Sequence, residues 1–189
     1  MITPNVKLII KPTQEDTAVA CAQFLGNELA RTLAESSIAK FAVSGGDSPR
    51  PMFRLLSERD LDWKRIHIFW VDERHVPADD PQSNYRMARE ELLESAGVPA
   101  QNIHRVPTEL APEESAKAYS DEIERVCGSS PFLFDVMQRG IGADAHTASL
   151  FPGDSLLLDS AGITAAVWVP KMKQWRVTLT PTAIAATRT

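Results

Sequence analysis

The sequence has no apolar run near the roughly 18 residues that mark a membrane helix. Nor does it begin with a basic segment followed by a long apolar stretch. The expectation is a cytoplasmic protein with neither a membrane span nor a secretory leader. Basic tracts are missing as well, with 20 Lys and Arg against 25 Asp and Glu and a net charge of −5. Coating a nucleic-acid backbone needs the opposite balance, so no nucleic-acid partner is expected. An anionic ligand would have to be met by positive charge gathered locally. Cysteine is scarce: Cys21 and Cys127 are the two, far apart and in no metal-ligand spacing, which reads as free thiols in a reducing compartment. No second histidine or cysteine stands at ligand spacing, so no metal is expected, and His67 and His104 read as surface or strand residues. The Gly-x-Ser-x-Gly elbow is absent, so Ser149 is no esterase nucleophile. Repeats, low-complexity tracts and dividing linkers are also lacking. With 189 residues and 43% apolar composition, one domain over residues 1–189 can bury a core.

Hydrophobic patterning alternates between two periods. Val6 to Ile10 is a short apolar run, expected as a first strand and broken at Pro12. Thr13 to Asp16 has the form of a capping box. Ala18, Ala22, Leu25, Leu29 and Leu33 follow at helical spacing, so a helix is expected over about 13–36, with Cys21 on its buried side. Ile38 to Val43 reads as a strand, Arg50 to Ser57 as a helix, and Ile66 to Val71 as a nearly continuous apolar strand. Ser83 is placed to cap a helix running to Ser95 and ending at Gly97. Another helix starts at Ala111-Pro112 and ends before Gly128. Phe132 to Arg139, Ala165 to Val169 and Arg176 to Leu179 are further strands. Alternating strands and helices imply an α/β fold: a mostly parallel, Rossmann-like sheet with helices on both faces.

Ligands of such sheets sit beyond the carboxyl ends of the strands, and three polar motifs fall there. Ser44-Gly45-Gly46-Asp47-Ser48-Pro49 joins a strand to a helix; it is either an ordinary turn or a phosphate cradle of backbone N–H groups. Asp47 would repel an anion unless it turns outward to cap the helix. Asp72-Glu73-Arg74-His75 follows a buried strand as a polar loop, solvated or functional. Arg74 could fix an anion there, and Asp72 could pair with it or act on a proton. Gly140-Ile141-Gly142-Ala143-Asp144-Ala145-His146-Thr147-Ala148-Ser149 sets an acid two residues from a histidine, an arrangement that orients the ring and raises its basicity. The alternative is a histidine that caps a helix. Lys171, Lys173 and Arg176 are the densest local positive charge, which on charge alone reads as a solvated loop.

Together the motifs resemble the 6-phosphogluconolactonase family. The resemblance rests on Ser44-Gly45-Gly46-x-Ser48-Pro49, Trp70-Val71-Asp72-Glu73-Arg74-x-Val76, Asp80-x-x-Ser83-Asn84, and Gly142-x-Asp144-x-His146-Thr147-Ala148-Ser149-Leu150-Phe151-Pro152. It implies hydrolysis of 6-phospho-D-glucono-1,5-lactone to 6-phosphogluconate, in the pentose phosphate pathway, without a cofactor. It implies His146 as the proton-transfer group, Asp144 as its neighbour and Arg74 as the anchor of substrate or transition state. Ser44, Gly45, Gly46 and Ser48 would hold the phosphate, assisted by Lys171 and Arg176, with Asp72 at the substrate site. The same superfamily contains glucosamine-6-phosphate deaminases, in which Asp72 would be the base. A non-catalytic sugar-phosphate binder is the third reading.

Departures from that family are specific. Ala145 stands where glycine is usual, a mild change if φ there is negative. Gln138 and Arg139 replace aliphatic residues. Arg139 is expected to reach the site edge or to pair with an acid, since a buried unpaired charge is costly. Family members continue past Thr178-Leu179-Thr180 with another strand and helix, which are expected to be missing here.

Overall fold

The computed structural model describes residues 6–128, 130–158 and 162–189. Its first element, α1 (Gln14–Glu35), is capped as the sequence dictates, since Thr13 Oγ1 accepts the Asp16 N–H at 3.0 Å. Ala18, Ala22, Leu25 and Leu29 turn one face inward. Then come β1 (Ala39–Val43), α2 (Arg50–Ser57), β2 (Ile66–Trp70) and β3 (Asp72–Arg74). Helix α3 (Asn84–Ala88) runs through a π-helical turn, Arg89–Leu93, into α4 (Glu94–Ala96), and Gly97 ends it at φ 65°. The remaining elements are β4 (Ile103–His104), α5 (Pro112–Cys127), β5 (Val136–Met137), β6 (Thr164–Val169), β7 (Gln174–Leu179) and α6 (Pro181–Ala185).

Four strands form a parallel sheet in the order β4-β2-β1-β5. Every residue of β1 is buried, as a central strand covered on both faces must be. Helix α1 packs on α2 and β1, while α5 packs on β6 and β7. The mostly parallel α/β class read from the sequence is therefore what forms. The last two strands depart from it. They join β3 in a separate antiparallel sheet, β3-β7-β6. Val71 is the junction: its N–H donates to Val43 O and its carbonyl accepts from Leu179 N–H, both at 2.8 Å. One extended segment thus serves the parallel sheet through β2 and the antiparallel sheet through β3. Where the parallel ladder ends, Tyr119 Oη accepts the Trp70 N–H at 2.7 Å and donates to the Trp70 carbonyl at 2.9 Å. The buried backbone groups of Trp70 are thereby satisfied.

Two expected strands change. Residues 6–10 are irregular, and Val6, Leu8 and Ile10 are exposed. An apolar run becomes a strand only where a neighbouring edge accepts its backbone groups, and no described residue does so. The run Phe132 to Arg139 shortens to β5 plus a bridge between Phe134 and Thr187. The outer edge of this segment is occupied by the last residues. Leu133 N–H donates to Ala186 O, Arg188 N–H to Phe134 O and Met137 N–H to Thr189 O, at 2.9–3.0 Å.

His67 and His104, one half-buried and one buried, stack with centroids 5.1 Å apart and share a 2.8 Å contact between Nδ1 and Nε2. His104 Nδ1 also meets Glu122 Oε1 at 2.6 Å. Burial lowers the pKa of both rings below the ordinary 6.5, at His104 against the opposing pull of Glu122. Since the unfolded state then binds more protons, this pair costs stability as pH falls through 6.5 into the acid range. The stability difference between wild type and His67→Gln, followed by urea melts, should therefore shift in favour of the variant between pH 7 and pH 5. A difference independent of pH over that window would contradict the assignment.

Candidate active site

The carboxyl edge of the parallel sheet carries a cleft of about 620 Å³. It is walled by the turn from Ser44 to Pro49, by Asp72, Arg74 and Asn84, by residues 138–142 with His146, and by Arg176. The three motifs, far apart in sequence, meet here because parallel β1, β2 and β5 all end on this side.

The turn after β1 is held from two directions. Ser44 N–H donates to Gln138 Oε1 at 2.9 Å. Gly45 lies against Asn84, where an added Cβ would sit 1.8 Å from Oδ1. Asn84 cannot easily yield, because its Nδ2 donates to Asp72 O at 2.8 Å and its N–H to Glu73 Oε1 at 2.7 Å. Gly45→Ala should therefore cost roughly 1–3 kcal/mol, the usual penalty of overpacking. The check is a lower urea midpoint with an unchanged slope. Gly46 adopts φ 104°, a conformation open to glycine. Asp47 is exposed and lies 3.4 Å from Arg50 Nε, so it turns outward as expected, although Pro49, with no side-chain bond, is the N-cap of α2.

Asp72, Glu73 and Arg74 form a strand rather than a solvated loop. The alternation of β3 explains their different environments. Asp72 is buried and accepts the Ser149 hydroxyl at 2.7 Å, with Arg176 Nη1 at 3.7 Å. Arg176, also buried, reaches Ser149 Oγ at 3.4 Å and Met172 Sδ at 2.8 Å. Burial lowers its pKa, against the nearby Asp72. Cross-strand pairing sets Arg74 opposite Arg176. Arg74 Nη1 donates to Gln82 O at 2.6 Å. Glu73 points the other way and accepts from the N–H groups of Arg74, Asn84 and Tyr85 and from the Ser83 hydroxyl, at 2.7–3.1 Å. Burial pushes its pKa up to about 7 against those donors. His75 binds Leu110 O and takes no part in the cleft wall.

The loop that carries His146 is a chain of tight turns, and no helix begins at Thr147 or Ser149. Gly142 N–H donates to His146 O at 2.8 Å, and Ala145 N–H to Gly142 O at 2.9 Å. The imidazole packs over Gly142, where a Cβ would fall 2.2 Å from Nδ1. Its Nδ1 contacts Asp144 Oδ1, and its other face stacks on Phe151 at 4.6 Å. Asp144 Oδ2 takes Lys171 Nζ. Lys171 first and His146 second hold the Asp144 carboxyl well below the usual range, so it stays ionised beside the ring. Lys171 therefore serves Asp144 and does not line the cleft. Ala145 adopts φ 65°. The replacement of glycine is consequently not mild, since an L-residue there costs about 1–2 kcal/mol.

A sequence profile described as "Glucosamine-6-phosphate isomerases/6-phosphogluconolactonase" matches residues 12–189. The chain belongs to this family. It is 39% identical over 170 residues to a 6-phosphogluconolactonase of Treponema pallidum, covering 87% of this chain and 70% of that relative. It is 38% identical over 157 residues to one from Synechocystis, covering 80% and 64%. The match to a Nostoc relative covers 48% of its length, so the shared part spans from about half to 70% of these proteins. The crystal structure of the Thermotoga maritima 6-phosphogluconolactonase aligns with a TM-score of 0.84 at 30% identity, over 95% of this chain and 79% of that one.

Of the residues singled out in sequence, the cleft brings together Ser44, Gly45, Gly46, Ser48, Asp72, Arg74, His146 and Arg176. Asp144 and Lys171 lie at one remove from it, Asp144 against the His146 ring and Lys171 against Asp144. Three contributors had no assigned role. Asn84 fills the space beside Gly45, Glu73 caps α3, and Gln138 ties β5 to the turn. Cys21, expected on the buried side of α1, is half-buried and borders the cleft.

Proposed function

We propose that the chain hydrolyses 6-phospho-D-glucono-1,5-lactone to 6-phosphogluconate, using His146 for proton transfer. The observation that carries this is the seating of the imidazole. Its Nδ1 is held by ionised Asp144, and its Nε2 has no partner among the described residues, in a cleft shared with the glycine turn and three arginines, Arg74, Arg139 and Arg176. A carboxylate on one ring nitrogen raises the basicity of the other.

Water gives a proton to His146 as its oxygen bonds to the lactone carbonyl carbon. The resulting oxyanion is met by Arg74 or by backbone N–H groups. Collapse of the tetrahedral intermediate breaks the bond to the ring oxygen, which takes the proton back from His146. The Ser44 to Ser48 turn receives the phosphate, with Arg176 nearby. Asp72 is poorly suited to act as the base of a deaminase, since it is buried and already accepts the Ser149 hydroxyl beside Arg176. Among the described residues no helix is long and apolar enough to cross a membrane. The substrate class and the free thiols of Cys21 and Cys127 support a cytoplasmic setting.

The test is to generate the lactone in place with a glucose-6-phosphate dehydrogenase and compare its loss with the spontaneous rate. Acceleration supports the reading. Loss at the spontaneous rate, with ammonia released from glucosamine-6-phosphate, supports the isomerase branch of the family instead.

A further inference from the structure

We propose that Arg139 is a further specificity-determining residue of this cleft, its guanidinium pairing with the phosphate dianion of the substrate. The inference rests on the phosphosugar reading above and adds a residue to that site.

The placement follows from β5. Gln138 N–H donates to Ala42 O at 2.9 Å, and its side chain accepts the Ser44 N–H at the same distance. These two bonds clamp the end of β5 against the turn after β1, so the next residue, Arg139, enters the wall of the same cleft as Ser44 to Ser48. The bond also occupies the Ser44 N–H, which removes one donor the turn could offer to an anion. A cation beside the turn compensates for that loss.

Of the cleft arginines, Arg74 and Arg176 are partly engaged, each keeping a buried Nε without a partner among the described residues, whereas Arg139 is engaged by nothing described. Arg74 is engaged by Gln82 O. Arg176 is engaged by Ser149 and Met172, and Asp72 opposes its charge. Lys171 is paired with Asp144. The acid of the turn, Asp47, is exposed and lies beside Arg50. Arg139 makes no hydrogen bond or ion pair among the described residues, so the expected acid partner is absent while the cleft edge is reached. The residue stays exposed at the mouth, yet partial burial of its guanidinium depresses its pKa. A partly desolvated cation without a counter-ion is unfavourable on its own and is relieved when an anion arrives. A planar guanidinium meets a phosphate through two parallel N–H···O bonds.

The experiment compares wild type, Arg139→Leu and Arg139→Lys on the phosphorylated lactone and on unphosphorylated glucono-1,5-lactone. Calorimetry with 6-phosphogluconate runs in parallel. Arg139→Leu should raise KM for the phosphorylated lactone by roughly 10- to 100-fold, the scale of a hydrogen bond to a charged group. It should leave kcat within about twofold and the unphosphorylated substrate unaffected, and lysine should restore part of the loss, keeping the charge without the bidentate fork. An unchanged KM, or an equal loss on both lactones, overturns the role of Arg139 while hydrolysis stands. Should wild type fail to hydrolyse the lactone, the functional reading falls, and calorimetry still decides. Weaker 6-phosphogluconate binding by Arg139→Leu supports the phosphate contact; equal affinity, or no binding by wild type, overturns it.

Discussion

His146→Ala is expected to lower turnover of the phosphorylated lactone by about 100- to 10,000-fold, the range of a lost general acid–base. The fold should survive. The ring sits at the cleft wall in a surface loop, only partly buried, with one face on Phe151 and one edge on Asp144. Removing it deletes no core packing. The remaining rate would come from binding and from oxyanion stabilisation, which do not depend on the imidazole. On the proposed reading the loss should appear in kcat more than in KM, since the ring would act on the reacting atoms and the turn after β1 would hold the phosphate. The measurement is initial rate on freshly generated lactone, with a melting curve beside it. A variant that keeps near-wild-type kcat on a folded protein would falsify the proton-transfer role.

Glu73→Ala is expected to be the most damaging single change to stability, at about 3 kcal/mol or more, because each buried donor left unsatisfied costs roughly 1–3 kcal/mol. The carboxyl accepts three backbone N–H groups and one hydroxyl. Two of those N–H groups, of Asn84 and Tyr85, belong to the first turn of α3, which has no helical acceptor for them. Loss of Glu73 also frees Asn84, whose side chain closes against Gly45. The turn after β1 should loosen together with the helix. Urea unfolding gives the stability loss, and binding of 6-phosphogluconate gives the accompanying loss of affinity. A variant that unfolds at the wild-type midpoint would show that water replaces the carboxylate without cost. Glu73→Gln, which keeps one acceptor oxygen, should fall between the two.

Local signals in the chain were strong where one segment decides its own fate. Helix α1 is capped by Thr13 and patterned by Ala18, Ala22, Leu25 and Leu29, and it begins and ends within a residue of the expected span. Strands β1 and β2 are continuous apolar runs and formed where the pattern put them. The Ser44 to Pro49, Asp72 to Arg74 and Gly142 to Ser149 motifs could be assigned to one edge because strands that alternate with helices run parallel. Glu73 shows the limit of this reasoning. Beside Asp72 and Arg74 it looks like one more charge in a solvated loop. Its burial becomes apparent only when β7 pairs with the segment and α3 docks on the carboxyl.

Taken alone, then, the amino-acid sequence determined the helix–strand alternation, the parallel core and the sheet edge at which His146, Asp144 and Arg74 were offered as candidates, while Arg176 entered only through the family resemblance. The former follow from periodicity, caps and residue type, which act over a few positions. Tertiary structure alone decided that residues 6–10 form no strand, that β3, β7 and β6 make a second sheet, that Ala145 sits at positive φ, and that Lys171 serves Asp144. Each of these depends on which distant backbone or charge is the neighbour, and a strand edge, a turn or an ion pair has no energy of its own until that neighbour is in place.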